Sequence, residues 1–268
     1  MIGCLLAKKY HVPHVMHIRE FGKEDYPLLW IKSNIIQYFN KRCDAFLAIS
    51  KSVKDSWTSR GIKEDKTYVV YNGVSTKKDK VDVQISYNKK IRAVFAGTVT
   101  TGKGQIQLLK VINKLPDEIK EKFNVDFYGN INDKYFKSLQ KVIDEEHIEK
   151  KVSFLGHVDN LHDKLKKYNL GFICSRKEAF GRVTIDYMLN YIPVIASNSC
   201  ANPEIITSDQ NGFLYEWNNI DELKDKIIRV YELTDIDNIV RNAYNDAVNK
   251  YSAEKNAKEV YKIYKKIL

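Results

Sequence analysis

A chain of 268 residues allows one or two domains, each large enough to bury its own core. Hydrophobic residues make up 44% and charged residues 29%, which excludes a collagen-like or disordered chain, and no apolar run reaches the roughly 18 to 20 residues of a membrane-spanning helix. Lys and Arg number 44 against 34 Asp and Glu, and the formal charge of +10 points to an anionic partner: nucleic acid, a phosphorylated ligand or a membrane surface.

The opening Met1-Ile-Gly-Cys-Leu-Leu-Ala-Lys-Lys places its apolar stretch before its charges, the reverse of a secretory signal. Short apolar runs then alternate with longer amphipathic ones. Val12–Ile18, Ala45–Ile49 and Tyr68–Val70 read as buried strands, with Leu28–Lys41 and Ser52–Ser59 as helices between them. Asn72-Gly73 is a turn dipeptide, and the polar, Lys-rich stretch after it reads as a linker over 75–90. A second series follows. Ile91–Ala96, Val125–Tyr128, Val152–Leu155, Leu170–Cys174, Val194–Ala196 and Phe213–Tyr215 read as strands. Gln105–Leu115, Lys134–Glu146, Leu161–Tyr168, Val183–Asn190 and Ile220–Tyr231 read as helices. Strands separated by helix-length segments imply βαβ crossovers and a mostly parallel, Rossmann-like sheet. Ile239–Leu268 is helical and broken near Tyr251-Ser252, where Ser252 is placed to cap the last helix. The expected organisation is an α/β protein. A partial Rossmann-like lobe covers 1–74 and a complete one 91–250, with a C-terminal helix over 251–268 that packs back on the first.

Four cysteines, Cys4, Cys43, Cys174 and Cys200, are widely scattered without a Cys-x-x-Cys pair. That argues against a disulfide framework or a zinc ribbon and for a reducing cytoplasm. Three further signals weaken on inspection. Gly97-Thr-Val-Thr-Thr-Gly-Lys-Gly104 follows a strand and opens a helix as a P-loop does, but Gly104 stands where a magnesium-binding Ser or Thr belongs. His11, His14 and His17 are three apart, and on a strand such residues face opposite sides, so they read as ordinary loop and strand histidines. Asp235-Ile-Asp237 lies between two helical runs and reads as helix capping rather than a metal pair. No metal site is expected. No aromatic-basic pattern of a nucleic-acid module accompanies the charge, so nucleic acid is set aside.

The informative segment is Ser175-Arg-Lys-Glu-Ala-Phe-Gly-Arg-Val-Thr-Ile-Asp-Tyr-Met-Leu189, which leaves a strand and runs into a helix. Ligands of open parallel sheets bind beyond the carboxyl ends of strands, where loop becomes helix. Gly181 lets the backbone approach a ligand, and the free N–H groups of Arg182, Val183 and Thr184 point at an anion. Arg182 adds a planar donor suited to phosphate. Glu178 before the turn and Asp186 one turn into the helix can each accept from a polyol.

Glu178-Ala-Phe-Gly-Arg-Val-Thr-Ile-Asp186, Pro193–Asn198, Pro203-Glu-Ile-Ile206 and Asn211-Gly-Phe-Leu-Tyr215 resemble the signature of family-four retaining glycosyltransferases, of the capsule and cell-surface polysaccharide type, with the GT-B fold. Ala48–Lys51, Val69–Val74, Gly102–Gln105 and Phe154–Gly156 extend the resemblance over nearly the whole chain. It implies metal-independent, cofactor-free transfer from a nucleotide diphosphate sugar, UDP-linked, to a glycan or lipid-diphosphate-linked acceptor, with retention of configuration. Glu178 would lie by the donor sugar, Asp186 would hold the ribose, and Lys103 would neutralise the diphosphate. Thr98, Gly102, Phe180, Gly181, Arg182 and Val183 complete the implied donor site. Catalysis would draw on Lys103, Glu178 and Arg19, with His17 and Glu20 on the acceptor side. Three positions depart from the pattern: Asp186 replaces the usual Glu, Thr98 stands where an Arg is common, and Cys200 stands where Gly is usual. Val12–Ile18 matches a late strand of the first lobe, so the chain is expected to lack the opening part of that lobe. A separate polypeptide supplying it and a catalytically inactive sugar-nucleotide- or partner-binding module both remain open. The expected place is the cytoplasm, with the Lys-rich surface against the inner membrane face.

Overall fold

A computed structural model describes residues 2–22, 34–76, 85–87 and 90–268. In chain order its elements are α1 (Ile2–Tyr10), β1 (Val15–Ile18), α2 (Ile35–Arg42), β2 (Ala45–Ala48), α3 (Lys51–Thr58) and β3 (Thr67–Val69), followed by β4 (Ile91–Ala96), α4 (Gln105–Ile112) and α5 (Asp117–Lys122). Next come β5 (Phe123–Tyr128), α6 (Asp133–Glu145), β6 (Val152–Phe154), α7 (Leu161–Leu165), β7 (Leu170–Ile173) and α8 (Arg182–Leu189). The chain closes with β8 (Val194–Ser197), α9 (Asn202–Ile205), β9 (Phe213–Tyr215), α10 (Ile220–Glu232), α11 (Ile236–Tyr251) and α12 (Ala253–Ile267). Two compact units result: Met1–Ser75 with Lys250–Leu268, and Thr76–Asn249.

The first unit holds a parallel sheet in the order β1-β2-β3. Its central strand, Ala-Phe-Leu-Ala, is buried along its whole length, the composition expected of a parallel strand covered on both faces. Ala45, Leu47, Val70 and Ile263 form one apolar cluster, joined by Val15, Tyr68, Val260 and Ile267, so α12 covers one face of this sheet. Ser50 caps α3, its hydroxyl accepting from the Val53 amide at 3.1 Å, and Ser252 caps α12 through the Lys255 amide at 3.3 Å.

The second unit carries six parallel strands in the order β6-β5-β4-β7-β8-β9. From β4 the chain builds outwards through β5 and β6, then crosses back so that β7 lies on the other side of β4. Alternate residues of β4 serve different layers. Ile91, Ala93 and Phe95 join the cluster containing Leu108 and Leu109 of α4, Leu139 of α6, and Leu223 and Ile227 of α10. Val94 and Ala96 face the opposite side, where Tyr187 of α8 lies over Gly171 of β7. Its hydroxyl accepts from the Ala96 amide at 2.8 Å and donates to the Val94 carbonyl at 3.4 Å. Among the described residues no helix is long and apolar enough to cross a membrane.

Several expectations shift. The strand expected from Val12 begins at Val15, because Pro13 has no N–H to give and His11 adopts a left-handed φ of 54°. The helix expected from Leu28 is seen from Ile35, residues 23–33 lying outside those described. Asn72-Gly73 forms no reversing turn. Val74 instead lies beside Ser252, taking a hydrogen bond from Ala253 N and giving one to Tyr251 O, and Gly73 sits so close to Ala253 that a Cβ would be 2.5 Å from its Cα. Within the expected linker, Ile85 and Tyr87 are bound into the second unit, through Asp237 and the Asn169 carbonyl. Helices α1, α5 and α9 lie in segments without an expected element.

Tyr187→Phe keeps the ring but strips the buried Ala96 amide of its acceptor. It should lower stability by about 1–3 kcal/mol, the penalty for an orphaned buried donor, measured by urea unfolding. A change under about 0.5 kcal/mol, no larger than that of a surface substitution, would contradict this role.

Candidate functional site

The strand order reverses between β4 and β7, and the loops leaving these neighbours run into α4 and α8. That crevice is where open parallel sheets take ligands. The loops touch closely. Gly104 opens α4 in the left-handed region, with φ 74°, and a Cβ there would lie 2.2 Å from the carbonyl oxygen of Cys174. The Arg176 amide donates to the Gly102 carbonyl at 2.9 Å. Lys103 Nζ donates to Glu178 Oε2 at 2.8 Å, with the two side chains 33% and 18% exposed.

Beneath the loops, Gln107 is buried and satisfied on both ends. Its amide NH₂ donates to the Cys174 carbonyl at 3.1 Å, and its oxygen accepts from Tyr215 Oη at 3.0 Å and from the Asn218 amide at 2.8 Å. One side chain thus ties α4 to the carboxyl ends of β7 and β9. On the far side of the β7 loop, Ala201 N donates to the Glu178 carbonyl at 3.1 Å, and Ser197 Oγ to the Ser175 carbonyl at 2.6 Å. Arg176 stacks its guanidinium 5.3 Å over the Trp217 ring. Cys200, standing where the resembled family usually has Gly, adopts a left-handed φ of 50°, the conformation that favours Gly.

Gly181, at φ 86°, turns the chain into α8 and has no side chain with which to cap it. The first amides of α8 are therefore available to an anion, reinforced by the positive end of the helix dipole. Arg182 is exposed at this end, and Val183 half-buried. Thr184 is fully buried, and its hydroxyl oxygen has no hydrogen-bond partner among the described residues. It stands 3.1 Å from where a Gly181 Cβ would be, with Glu178 Cγ at 3.5 Å. Gln105 Oε1, Tyr135 Oη and Asn202 Oδ1 are also buried without a partner among the described residues, so four such atoms lie at the starts of the helices that follow β4, β5, β7 and β8. Groups of this kind gather where a ligand or bound water completes the bonding.

Asp186 lies one turn into α8, half-buried, and none of the described residues donates a hydrogen bond to its carboxylate. Burial pushes its carboxyl above the ordinary range, against the opposing pull of the Arg182 and His162 charges.

The structure brings together most of the residues expected from the sequence. Lys103 and Glu178 touch, Thr98 and Gly102 are exposed on the same loop as Lys103, and Gly181, Arg182, Val183 and Asp186 share one turn and helix. Phe180 is buried, so its ring anchors the turn instead of offering a surface. His17, Arg19 and Glu20 belong to the first unit, at the carboxyl end of β1. His17 is exposed, with Nε2 3.5 Å from Tyr264 Oη, and the Glu20 carbonyl accepts from Trp57 Nε1 at 2.9 Å. The three spaced histidines do not converge: His14 turns towards Cys4 and Cys43, and His17 towards Tyr264. Asp235 accepts from the Asn238 side chain and Asp237 from the Ile85 amide, so neither makes the expected cap hydrogen bond. Gln107 and Asn202 carry no sequence expectation, and Thr184 is expected through its amide alone, not through its buried hydroxyl. The available signal was two glutamines, Gln105 and Gln107, in an otherwise apolar helix face.

Residues 76–250 match the family described as Glycosyl transferases group 1, and residues 1–78 match Glycosyltransferase Family 4. An uncharacterized glycosyltransferase of Methanocaldococcus jannaschii is 26% identical over 276 residues, 99% of this chain and 72% of that protein. Another from the same organism is 30% identical over 238 residues, 82% of this chain and 59% of that protein. Among solved structures, HepE of Anabaena in complex with UDP has a TM-score of 0.87 at 20% identity, covering 99% of this chain and 75% of that one. Its complex with UDP-glucose gives 0.85 at the same identity, again over 99% and 75%. The fold is therefore GT-B, with parallel sheets layered by helices.

A raised carboxyl pKa means that the folded state holds this proton more tightly than the unfolded chain. The stabilisation is present below the ordinary Asp value of about 3.9 and is lost as pH climbs through the raised one. Ionised Asp186 thus costs stability at neutral pH. Asp186→Asn should raise Tm at pH 7, by roughly 2 °C, and the gain should shrink as pH falls towards 4. A variant less stable than the parent at pH 7, by differential scanning fluorimetry, would show that the carboxylate is satisfied in the fold.

Proposed function

The chain belongs to the group 1 glycosyl transferases, and on that premise we propose that its second unit binds a UDP-linked sugar where the β4 and β7 loops meet. The contact between Lys103 and Glu178 carries this reading. It sets a cation and a carboxylate side by side, next to the uncapped start of α8. Lys103 exchanges Glu178 for the donor diphosphate, and the amides of Arg182, Val183 and Thr184 receive the remaining phosphate oxygens. Arg182 adds a second positive charge. Asp186 accepts from the ribose hydroxyls, and Glu178, released from Lys103, lies by the sugar. The Anabaena complexes with UDP and UDP-glucose support this class of donor.

The reaction breaks the bond from the anomeric carbon to the diphosphate oxygen and forms one to an acceptor hydroxyl oxygen, whose proton passes to the departing diphosphate, with retention of configuration. Negative charge grows on the diphosphate as the sugar leaves. Lys103, Arg182 and the α8 dipole stabilise it, so the transfer runs without a metal ion. Arg19 takes part in catalysis with Lys103 and Glu178, and His17 and Glu20 act on the acceptor side. The acceptor is a glycan or a lipid-diphosphate-linked acceptor on the inner membrane face, where the charge of +10 favours anionic lipid.

Titration calorimetry with UDP and with uridine tests the placement. Lys103→Ala should weaken UDP by about tenfold or more while leaving uridine nearly unchanged, and should lower kcat by roughly 10² where turnover is measured. Equal loss for both ligands would put Lys103 at the base or ribose and overturn the assignment. Donor binding should be unchanged in EDTA, and transfer should need no added Mn²⁺ or Mg²⁺. Activity lost in EDTA and restored by Mn²⁺ would contradict the metal-independent reading.

A further inference from the structure

Cys4, His14 and Cys43 are far apart in sequence and meet in the first unit. Cys4 sits in the opening turn of α1, His14 immediately precedes β1, and Cys43 ends α2. Both cysteines are buried to 1% exposure and His14 is half-buried. Sγ of Cys4 lies 3.6 Å from His14 Nδ1 and 3.9 Å from Cys43 Sγ, and Nδ1 lies 3.3 Å from Cys43 Sγ. A tetrahedral zinc ion, with Zn–S near 2.3 Å and Zn–N near 2.0–2.1 Å, places its ligands roughly 3.5–3.8 Å apart. The triangle already has nearly those edges.

The supporting contacts hold it in place. The His14 amide donates to Asp44 Oδ2 at 2.8 Å while the Asp44 amide donates to the His14 carbonyl at 2.9 Å, and Lys66 Nζ donates to the Cys43 carbonyl at 3.1 Å. The ring is oriented as well. Nδ1 faces the two sulfurs, and Nε2 rests against Gly3, where a Cβ would come within 2.7 Å.

We propose that Cys4, His14 and Cys43 bind a zinc(II) ion that ties α1 to the start of β1 and the end of α2. Two thiols and an imidazole select zinc over magnesium or calcium, which take oxygen ligands. On binding, both thiols give their protons to solvent, two Zn–S bonds and one Zn–N bond form, and water takes the fourth position. A plain disulfide between Cys4 and Cys43 accounts for the two sulfurs but not for the nitrogen placed against both. The site lies wholly in the first unit and does not depend on the transferase reading.

The chain, purified reduced and without chelator, should carry one zinc per molecule by elemental analysis. Cobalt(II) added to the apo-protein should give thiolate charge-transfer absorption and the visible bands of a tetrahedral site. Cys4→Ser, Cys43→Ser and His14→Gln should each weaken zinc by about 100-fold or more against a chromogenic chelator, whereas Cys174→Ser and Cys200→Ser should not. Should a ligand variant fail to fold, the parent still decides: zinc should raise its Tm and a chelator should reverse the rise. Absent zinc with no cobalt charge-transfer band, equal loss in Cys174→Ser, or a Cys4–Cys43 disulfide forming as fast with zinc as without it would overturn the proposal.

Discussion

The reversal of strand order between β4 and β7 is the constraint on which the site depends. Because β5 and β6 build to one side of β4 while β7, β8 and β9 build to the other, the helices α4 and α8 leave adjacent strands for opposite faces. The two loops start side by side and diverge, so their carboxyl-end amides and side chains surround a crevice that no crossover fills. Lys103, Glu178, the start of α8 and Asp186 all owe their positions to that one topological fact.

Magnitudes show what holds the loops and what is left to work. A half-exposed ion pair such as Lys103–Glu178 contributes little, on the order of 0–1 kcal/mol. The buried Gln107 amide, with three hydrogen bonds to groups from two strand ends, contributes more, because removing it orphans buried partners at about 1–3 kcal/mol each. The loop frame therefore rests on Gln107, Gly104 and the backbone bond from Arg176 to Gly102. Lys103 and Glu178 can separate at small cost, as exchange of partners during binding requires. Asp186 is the converse case: its carboxylate is buried at a cost to the fold and has no donor of its own in the described residues.

Much of this was legible in the sequence, for identifiable reasons. The six strands of the second unit are short apolar runs with loops of helical length between them, and buried parallel strands leave that signature. The glycines at 104 and 181 stood out because a strand, a glycine and a helix came in succession. Strand order was not legible, since apolar runs do not state their neighbours. Helices α5 and α9 escaped because they are only six and four residues long, too short for periodicity to show. The cluster of Cys4, His14 and Cys43 escaped for a different reason. Parallel pairing of β1 with β2 sets His14 beside Asp44, a contact spanning thirty residues that spacing alone does not announce. Reading His14 as mid-strand also turned it the wrong way, because the strand starts one residue later.

A crystal structure of the chain grown with UDP-glucose tests the central claim most directly. The account predicts diphosphate oxygens on Lys103 Nζ and on the amides of Arg182 to Thr184, ribose hydroxyls on Asp186, and a Lys103–Glu178 separation well beyond its present 2.8 Å. A nucleotide bound elsewhere, with that contact intact, would contradict it.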